Sequence, residues 1–306
     1  MSPGPPSLVR SPAWAAALCR VRESRVVLVL GESDTGKTSL VTYLASALHR
    51  AGRSVAVVDA DVGQSEIGPP TTVGLGVPRG PLERLADAEV RGLAFVGATS
   101  PAAHLRTTVA ATGRMAERAR RLGVEHVLVD TSGLVQGVIG RLLKRDKIDR
   151  VAPDLVVCLQ RDGECEHILD TGGAGSRPVL RLAAGPDVSP RSPLARRRRR
   201  EAAFAAYFAG ARRVDVDLGR LLCGESRGPG EPLPDLEAVV VGLEAAAGET
   251  LGLGVVRTVD PARRVLVVET PVPADAVAAV RPSGVRLRLL VAPEADLPPI
   301  CTEIGV

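Results

Sequence analysis

Residues 26–38 read Val26-Val27-Leu28-Val29-Leu30-Gly31-Glu32-Ser33-Asp34-Thr35-Gly36-Lys37-Thr38. The first five are apolar and mostly branched, the pattern of a strand buried on both faces. Gly31 to Thr38 fits GxxxxGK[ST], and Leu40, Leu44, Ala47 and Leu48 then share one helical face until Gly52 stops the helix. Strand, loop and helix in that order bring backbone N–H groups to a helix N-terminus, where the dipole favours an anion. Gly31 and Gly36 let the backbone wrap closely. Lys37 places a point charge near phosphates and Thr38 offers a hydroxyl to Mg²⁺. The expected ligand is ATP with Mg²⁺, cradled by Gly31, Glu32, Ser33, Asp34, Thr35, Gly36, Lys37, Thr38 and Ser39. Switches, motors and kinases all use such a loop, so it does not decide the fate of the terminal phosphate.

Outward from this loop, strands are predicted at Ser54–Asp59, Gly92–Gly97, His126–Asp130, Leu155–Leu159 and Val179–Leu182. Helices are predicted at Lys37–Arg50, Pro101–Leu122 and Gly137–Arg150. Strands separated by helices imply right-handed crossovers, hence an α/β fold with a mostly parallel sheet flanked by helices. At 306 residues the chain has room for about two domains. Residues 1–24 are expected to be a lead-in segment, 25–212 the nucleotide-binding domain, and 213–306 a small, mainly β C-terminal domain beyond a Gly/Pro-rich linker at Cys223–Pro234.

Hydrophobic residues make up 45% and charged residues 24%, which excludes a wholly disordered chain. No apolar run approaches the ~20 residues needed to span a bilayer, so no membrane partner is expected. Cys19, Cys158, Cys165, Cys223 and Cys301 form no CxxC, and His49, His104, His126 and His167 lack metal-type spacing. The setting reads as reducing and cytoplasmic. Net charge is +4, compatible with an anionic partner. The 39 basic residues include only three lysines, Lys37, Lys144 and Lys147, so an isolated lysine carries more information than an isolated arginine.

Two predicted strands end in acids. Asp59 and Asp61 fall at the carboxyl end of one, where open sheets bind ligands. One of them can hold Mg²⁺, the role assigned to Asp59, while the other accepts a proton from an attacking hydroxyl. A plain turn cap is the competing role. Asp130 ends the other strand and either meets Mg²⁺ through water or bonds to the phosphate loop.

The segments GESDTGKT (31–38), DADVGQSEIGPP (59–70), GATSP (97–101), DTSGLVQG (130–137) and RSPLARRRRREAAFAAYFAG (191–210) together resemble the Clp1/Grc3 polynucleotide 5′-hydroxyl kinases. The resemblance covers about residues 25–290 and implies transfer of the ATP γ-phosphate to the 5′-hydroxyl of RNA or DNA. It implies that Lys37 and Thr38 hold phosphate and Mg²⁺, that Asp61 is the base or orienter, and that Gln64 lies near the acceptor. It further implies that Thr99, Ser100 and Pro101 hold the substrate strand. Residues 191–210 become a lid, with Arg196 and Arg200, four apart on one helical face, closing on the γ-phosphate and Arg191 as a further candidate. Leu134 stands where the family often carries a tryptophan that stacks on the terminal base. Two other readings stay open: an ATP-holding adaptor in an RNA-processing assembly, and an NTPase switch or metallochaperone of the P-loop class.

Overall fold

The computed structural model describes residues 12–169, 177–185, 191–222, 235–290 and 300–304. In chain order the elements are α1 (Pro12–Arg22), β1 (Val26–Gly31), α2 (Lys37–Arg50), β2 (Val55–Ala60), β3 (Thr72–Val77), β4 (Glu89–Phe95), α3 (Leu105–Arg121), β5 (His126–Thr131), α4 (Gly137–Val151), β6 (Leu155–Gln160), α5 (Glu166–Leu169) and β7 (Val179–Ala183). Then follow α6 (Pro193–Phe208), β8 (Arg212–Asp217), β9 (Val239–Glu244), β10 (Thr250–Asp260), β11 (Val265–Thr270), β12 (Ala279–Leu290) and β13 (Ile300–Ile304).

Strands β2, β5, β1, β6 and β7 lie side by side in that order and are parallel, as the alternation of strand and helix predicts. The run Val26–Leu30 shows why both faces are apolar. Val26, Leu28 and Leu30 belong to a core shared with Ala111, Met115 and Ala119 of α3, while Val27 and Val29 pack with Leu40, Leu44 and Leu48 of α2. The lead-in segment supplies α1, whose Ala17 and Val21 are buried in the second of these cores, with Trp14 against Tyr43.

Strand β3 was not expected. Its sequence, Thr-Val-Gly-Leu-Gly-Val, carries two glycines that weaken a strand pattern. Gly74 is needed because a Cβ there would sit 1.8 Å from the Ile67 carbonyl oxygen. β3 and β4 pair antiparallel on the edge of β2. Helix α3 starts four residues later than predicted, after a turn over residues 101–104.

The strands from β8 onward are antiparallel to one another. They are continuous with the first sheet through β10 and β4, where Thr250 pairs with Leu93. Phe204 and Phe208 of α6 are buried with Phe95 of β4 and Val240, Leu253, Val255 and Leu287 of the C-terminal strands. Helix α6 therefore rests on the C-terminal strands. The expected linker, Cys223–Pro234, lies outside the described residues.

Candidate active site

β1 runs straight into the phosphate loop. A Cβ on Gly31 would lie 2.2 Å from the Leu159 carbonyl oxygen, so β6 passes too closely for any other residue. Asp34 (φ 56°) and Gly36 (φ 92°) then turn the chain back into α2. Gly36 is the N-cap and no side chain caps the helix, which leaves its first N–H groups for an anion. Lys37 is only 7% exposed, and its Nζ donates to the Glu32 carbonyl at 2.6 Å. Burial depresses its ammonium pKa, opposed by the charges of Asp130 and Asp61. Thr35 Oγ1 donates to the same Glu32 oxygen at 2.9 Å.

The acids divide differently from the expectation. Asp59 is buried and does not line the cleft. Its Oδ1 accepts from the Asp61 N–H at 3.1 Å, and its Oδ2 accepts from the N–H groups of Glu66 (2.6 Å) and Ile67 (3.1 Å) and from Ser65 Oγ (3.4 Å). These bonds shape the 61–67 turn, and none of them reaches Thr38, the other residue expected at the metal. Asp130, equally buried and also behind the cleft lining, is the acid that meets the loop: its Oδ2 accepts from Thr38 Oγ1 at 2.6 Å. Burial, with the neighbouring acids, raises the pKa of both Asp59 and Asp130. Asp61 lines the cleft. Its Oδ1 accepts from the N–H groups of Gly63 (3.0 Å) and Gln64 (3.1 Å), and Oδ2 has no hydrogen bond among the described residues.

A cleft of about 530 Å³ lies between these elements. It is lined by Ser33, Asp34, Gly36, Lys37, Thr38 and Ser39 of the loop, and by Asp61, Gln64, Thr99, Ser100, Pro101, Leu134, Arg196 and Arg200. Gly31, Glu32 and Thr35 do not line the cleft, and the Glu32 carboxylate accepts from Gln136 Nε2 at 3.3 Å. Gln64 Nε2 donates to the Arg196 carbonyl at 3.2 Å, which joins the 61–67 turn to α6. Gln64 Oε1 and Ser132 Oγ are buried at the cleft with no partner among the described residues.

Helix α6 begins with Ser192 as N-cap, accepting from the Ala195 N–H at 3.2 Å, and Pro193 at its first position. Arg196 Nη2 donates to Asp34 Oδ2 at 2.7 Å, and the Arg191 N–H donates to the same oxygen at 3.0 Å. Arg199 pairs with Glu66, and Arg200 pairs with Glu303. Arg191, Arg196, Arg199 and Arg200 all line the cleft. Helical spacing from Arg196 alone points to Arg199 as well as Arg200 (i+3 and i+4), and the sequence reading named only the latter. Glu66, Glu83, Arg84 and Ser132 also face the cleft and were not anticipated. Arg161, Asp162 and Glu164 form a turn in which the Glu164 carboxylate accepts two backbone N–H groups, while Arg161 Nη2 donates to the Asp34 carbonyl.

A phosphate loop, a paired threonine and aspartate, and a cationic helix over one cleft describe a nucleotide site, and family comparison agrees. The model of the mRNA cleavage and polyadenylation factor CLP1 P-loop matches residues 31–210. The chain belongs to that CLP1 P-loop family. A polyribonucleotide 5′-hydroxyl-kinase of Pyrococcus horikoshii is 32% identical over 73% of this chain and 61% of its own length. One of Thermococcus kodakarensis is 35% identical over 68% and 58%. The Clp1 kinase of Xenopus tropicalis is 29% identical over 61% and 44%. The chain thus spans about three fifths of the first two relatives. Two solved structures of Clp1p with Pcf11p share the CLP1 fold with it: TM-scores 0.65 and 0.68, 16% and 18% identity, covering 89% of this chain and 77% and 78% of theirs.

Proposed function

We propose that this chain is an ATP-dependent polynucleotide 5′-hydroxyl kinase whose acceptor is the 5′ end of RNA. One observation carries the reading: Asp61, with a carboxylate oxygen unengaged, shares a cleft with an uncapped helix N-terminus and the four arginines Arg191, Arg196, Arg199 and Arg200. The names of the archaeal relatives support RNA as the acceptor, and DNA remains the comparison substrate.

The residues fit the nucleotide and its metal. Gly36 has open space where a Cβ would stand, and two buried polar atoms at the cleft await partners. Among the described residues no cluster of three or more His, Cys, Asp or Glu could hold a metal alone. Magnesium characteristically takes one or two carboxylates and completes its shell with phosphates and water. Thr38, which faces the cleft, would hold it, with Asp130 behind, hydrogen-bonded to the Thr38 hydroxyl. When bound, Mg²⁺ neutralises charge on the β- and γ-phosphates.

In the transfer, the 5′-hydroxyl oxygen bonds to the γ-phosphorus as the bond from that phosphorus to the β–γ bridging oxygen breaks. Asp61 orients the hydroxyl and accepts its proton. Lys37 and the helix N–H groups hold the leaving diphosphate, and Arg196, Arg199 and Arg200 stabilise the charge on the group in flight. Thr99, Ser100 and Pro101 form the wall that confines the strand. The reading extends to a reducing, cytoplasmic setting, supported by the free thiols of Cys19, Cys158 and Cys165.

The test is transfer of label from γ-labelled ATP to matched 5′-hydroxyl RNA and DNA, single-stranded and duplex. Labelled RNA, lost in Lys37→Ala, is the expected result. Bound ATP with no labelled end on any oligonucleotide would overturn the kinase reading in favour of an adaptor.

A further inference from the structure

All three lysines of the chain converge on the ends of the catalytic strands. Lys37 lies in the phosphate loop, and Lys144 and Lys147 lie one turn apart on α4. Lys144 and Lys147 are both 0% exposed and neither lines the cleft. Lys147 Nζ donates to the Ala60 carbonyl at 3.0 Å, and Ala60 stands between Asp59 and Asp61. Lys144 Nζ donates to Thr131 Oγ1 at 2.8 Å and to the Ser132 carbonyl, both directly after Asp130.

Burying an ammonium group is expensive, and a helix face packed on a sheet is ordinarily apolar. Burial depresses the pKa of both groups: that of Lys147 to about 8 against the pull of Asp61, Asp59 and Asp130, and that of Lys144 further, with the repulsion of Lys147 and Lys37 added. A compact head on a linear stem can reach a carbonyl through a packed core where a planar guanidinium finds no room. That explains lysine at these two positions in a chain that otherwise uses arginine.

We propose that Lys144 and Lys147 are positioning residues for phosphoryl transfer: anchored on α4, they fix the ends of β2 and β5 and so hold Asp61 at the acceptor hydroxyl and Asp130 against Thr38. Asp61 is then held from both sides. Ala60 is fixed before it, and its own Oδ1 closes the turn onto Gly63 and Gln64 after it. The inference rests on the kinase reading.

The experiment compares transfer to RNA by the full chain and by Lys147→Met, Asp61→Asn and the double variant. Affinity for a fluorescent ATP analogue and the thermal midpoint are measured alongside. A shift of about 1 Å in a reacting group can cost ~10²-fold, so kcat of Lys147→Met is expected to fall by about that factor with ATP-analogue affinity within twofold. On the Asp61→Asn background the same change should cost less than threefold, because the group it positions is already disabled. Lys144→Met should behave likewise against Asp130→Asn. Lys147→Gln, which keeps a neutral N–H donor, carries the same cycle if the methionine variant does not fold. Multiplicative losses in the double variants, or a folded Lys147→Met with kcat within threefold of the parent, would overturn the inference and leave the kinase reading standing. A parent chain that transfers nothing would overturn both.

Discussion

Arg200 and Glu303 meet in a two-point ion pair, Nε to Oε1 at 2.8 Å and Nη2 to Oε2 at 2.9 Å. Both side chains are less than one-fifth exposed. The Glu303 N–H also donates to Glu201 at 3.2 Å, and Arg197 donates to the Glu303 carbonyl. One residue of β13 thus fixes a whole turn of α6 while Arg200 still faces the cleft. Charge-assisted hydrogen bonds contribute ~1.5–3 kcal/mol, and each ~1.4 kcal/mol is tenfold. Glu303→Gln should therefore lower kcat about tenfold by releasing the guanidinium from its pose. Arg200→Lys, which cannot form the fork, should cost at least as much. Exposed Arg198, which does not line the cleft, serves as the control, and Arg198→Ala should stay within twofold.

Asp59 secures the 61–67 turn at an electrostatic cost. Its pKa is raised in the folded chain, chiefly by burial and next by the charge of Asp130. A carboxyl group raised above its usual 3.8 binds more protons folded than unfolded, so its contribution to stability is lost as pH rises above that value. In EDTA without nucleotide, the thermal midpoint should be higher at pH 5.5 than at pH 7.5 on account of this group. Asp59→Asn should lower the midpoint at both pH values, since the amide accepts fewer hydrogen bonds, and shrink the difference between them. An unchanged difference in the variant would refute the assignment.

Much of this site is legible in residues 26–38, because a buried strand followed by a glycine-bounded loop has few three-dimensional solutions. The strand end brings Asp59 and Asp61 to the ligand side, whereas the role of the 191–210 arginines came from the family resemblance, since a charge run by itself reads as a solvated face. What escaped was set by contacts between segments distant in sequence. The roles of Asp59 and Asp130 are separated only by which oxygen meets Thr38, 92 residues from Asp130. Strand β3 was hidden by glycines that Ile67 demands. Lys144 and Lys147 were visible as rare residues, but a helical period alone places them only on α4 and not in the core beneath the acids.

Two glycines mark where loops of the cleft touch through bare backbone. A Cβ on Gly133 would stand 2.5 Å from the Ser33 backbone, and one on Gly63 would stand 2.4 Å from the Thr99 carbonyl oxygen. Overpacking typically costs ~1–3 kcal/mol, and here the strain falls on the loops that hold ligands. Gly133→Ala should weaken binding of an ATP analogue about tenfold or more while the RNA KM changes little. Gly63→Ala should do the opposite, raising the RNA KM by a similar factor. Equal effects of both variants on both ligands would show that the two walls of the cleft are not separable.

Leu134 lines the cleft, at the position where the family resemblance implies a ring stacked on the terminal base. A leucine excludes water from a base but offers it no π face, and stacking contributes ~1–3 kcal/mol per base. Leu134 is only half-buried, so a larger side chain there can extend toward solvent. Leu134→Trp should lower the KM for single-stranded RNA about fivefold or more, with kcat and the ATP KM within twofold of the parent. The gain should be larger for a 5′-terminal purine than for a pyrimidine, because the larger base covers more of the indole. A variant with unchanged RNA KM, assayed by initial rates on oligonucleotides differing only in the first base, would mean that the terminal base does not pass over residue 134.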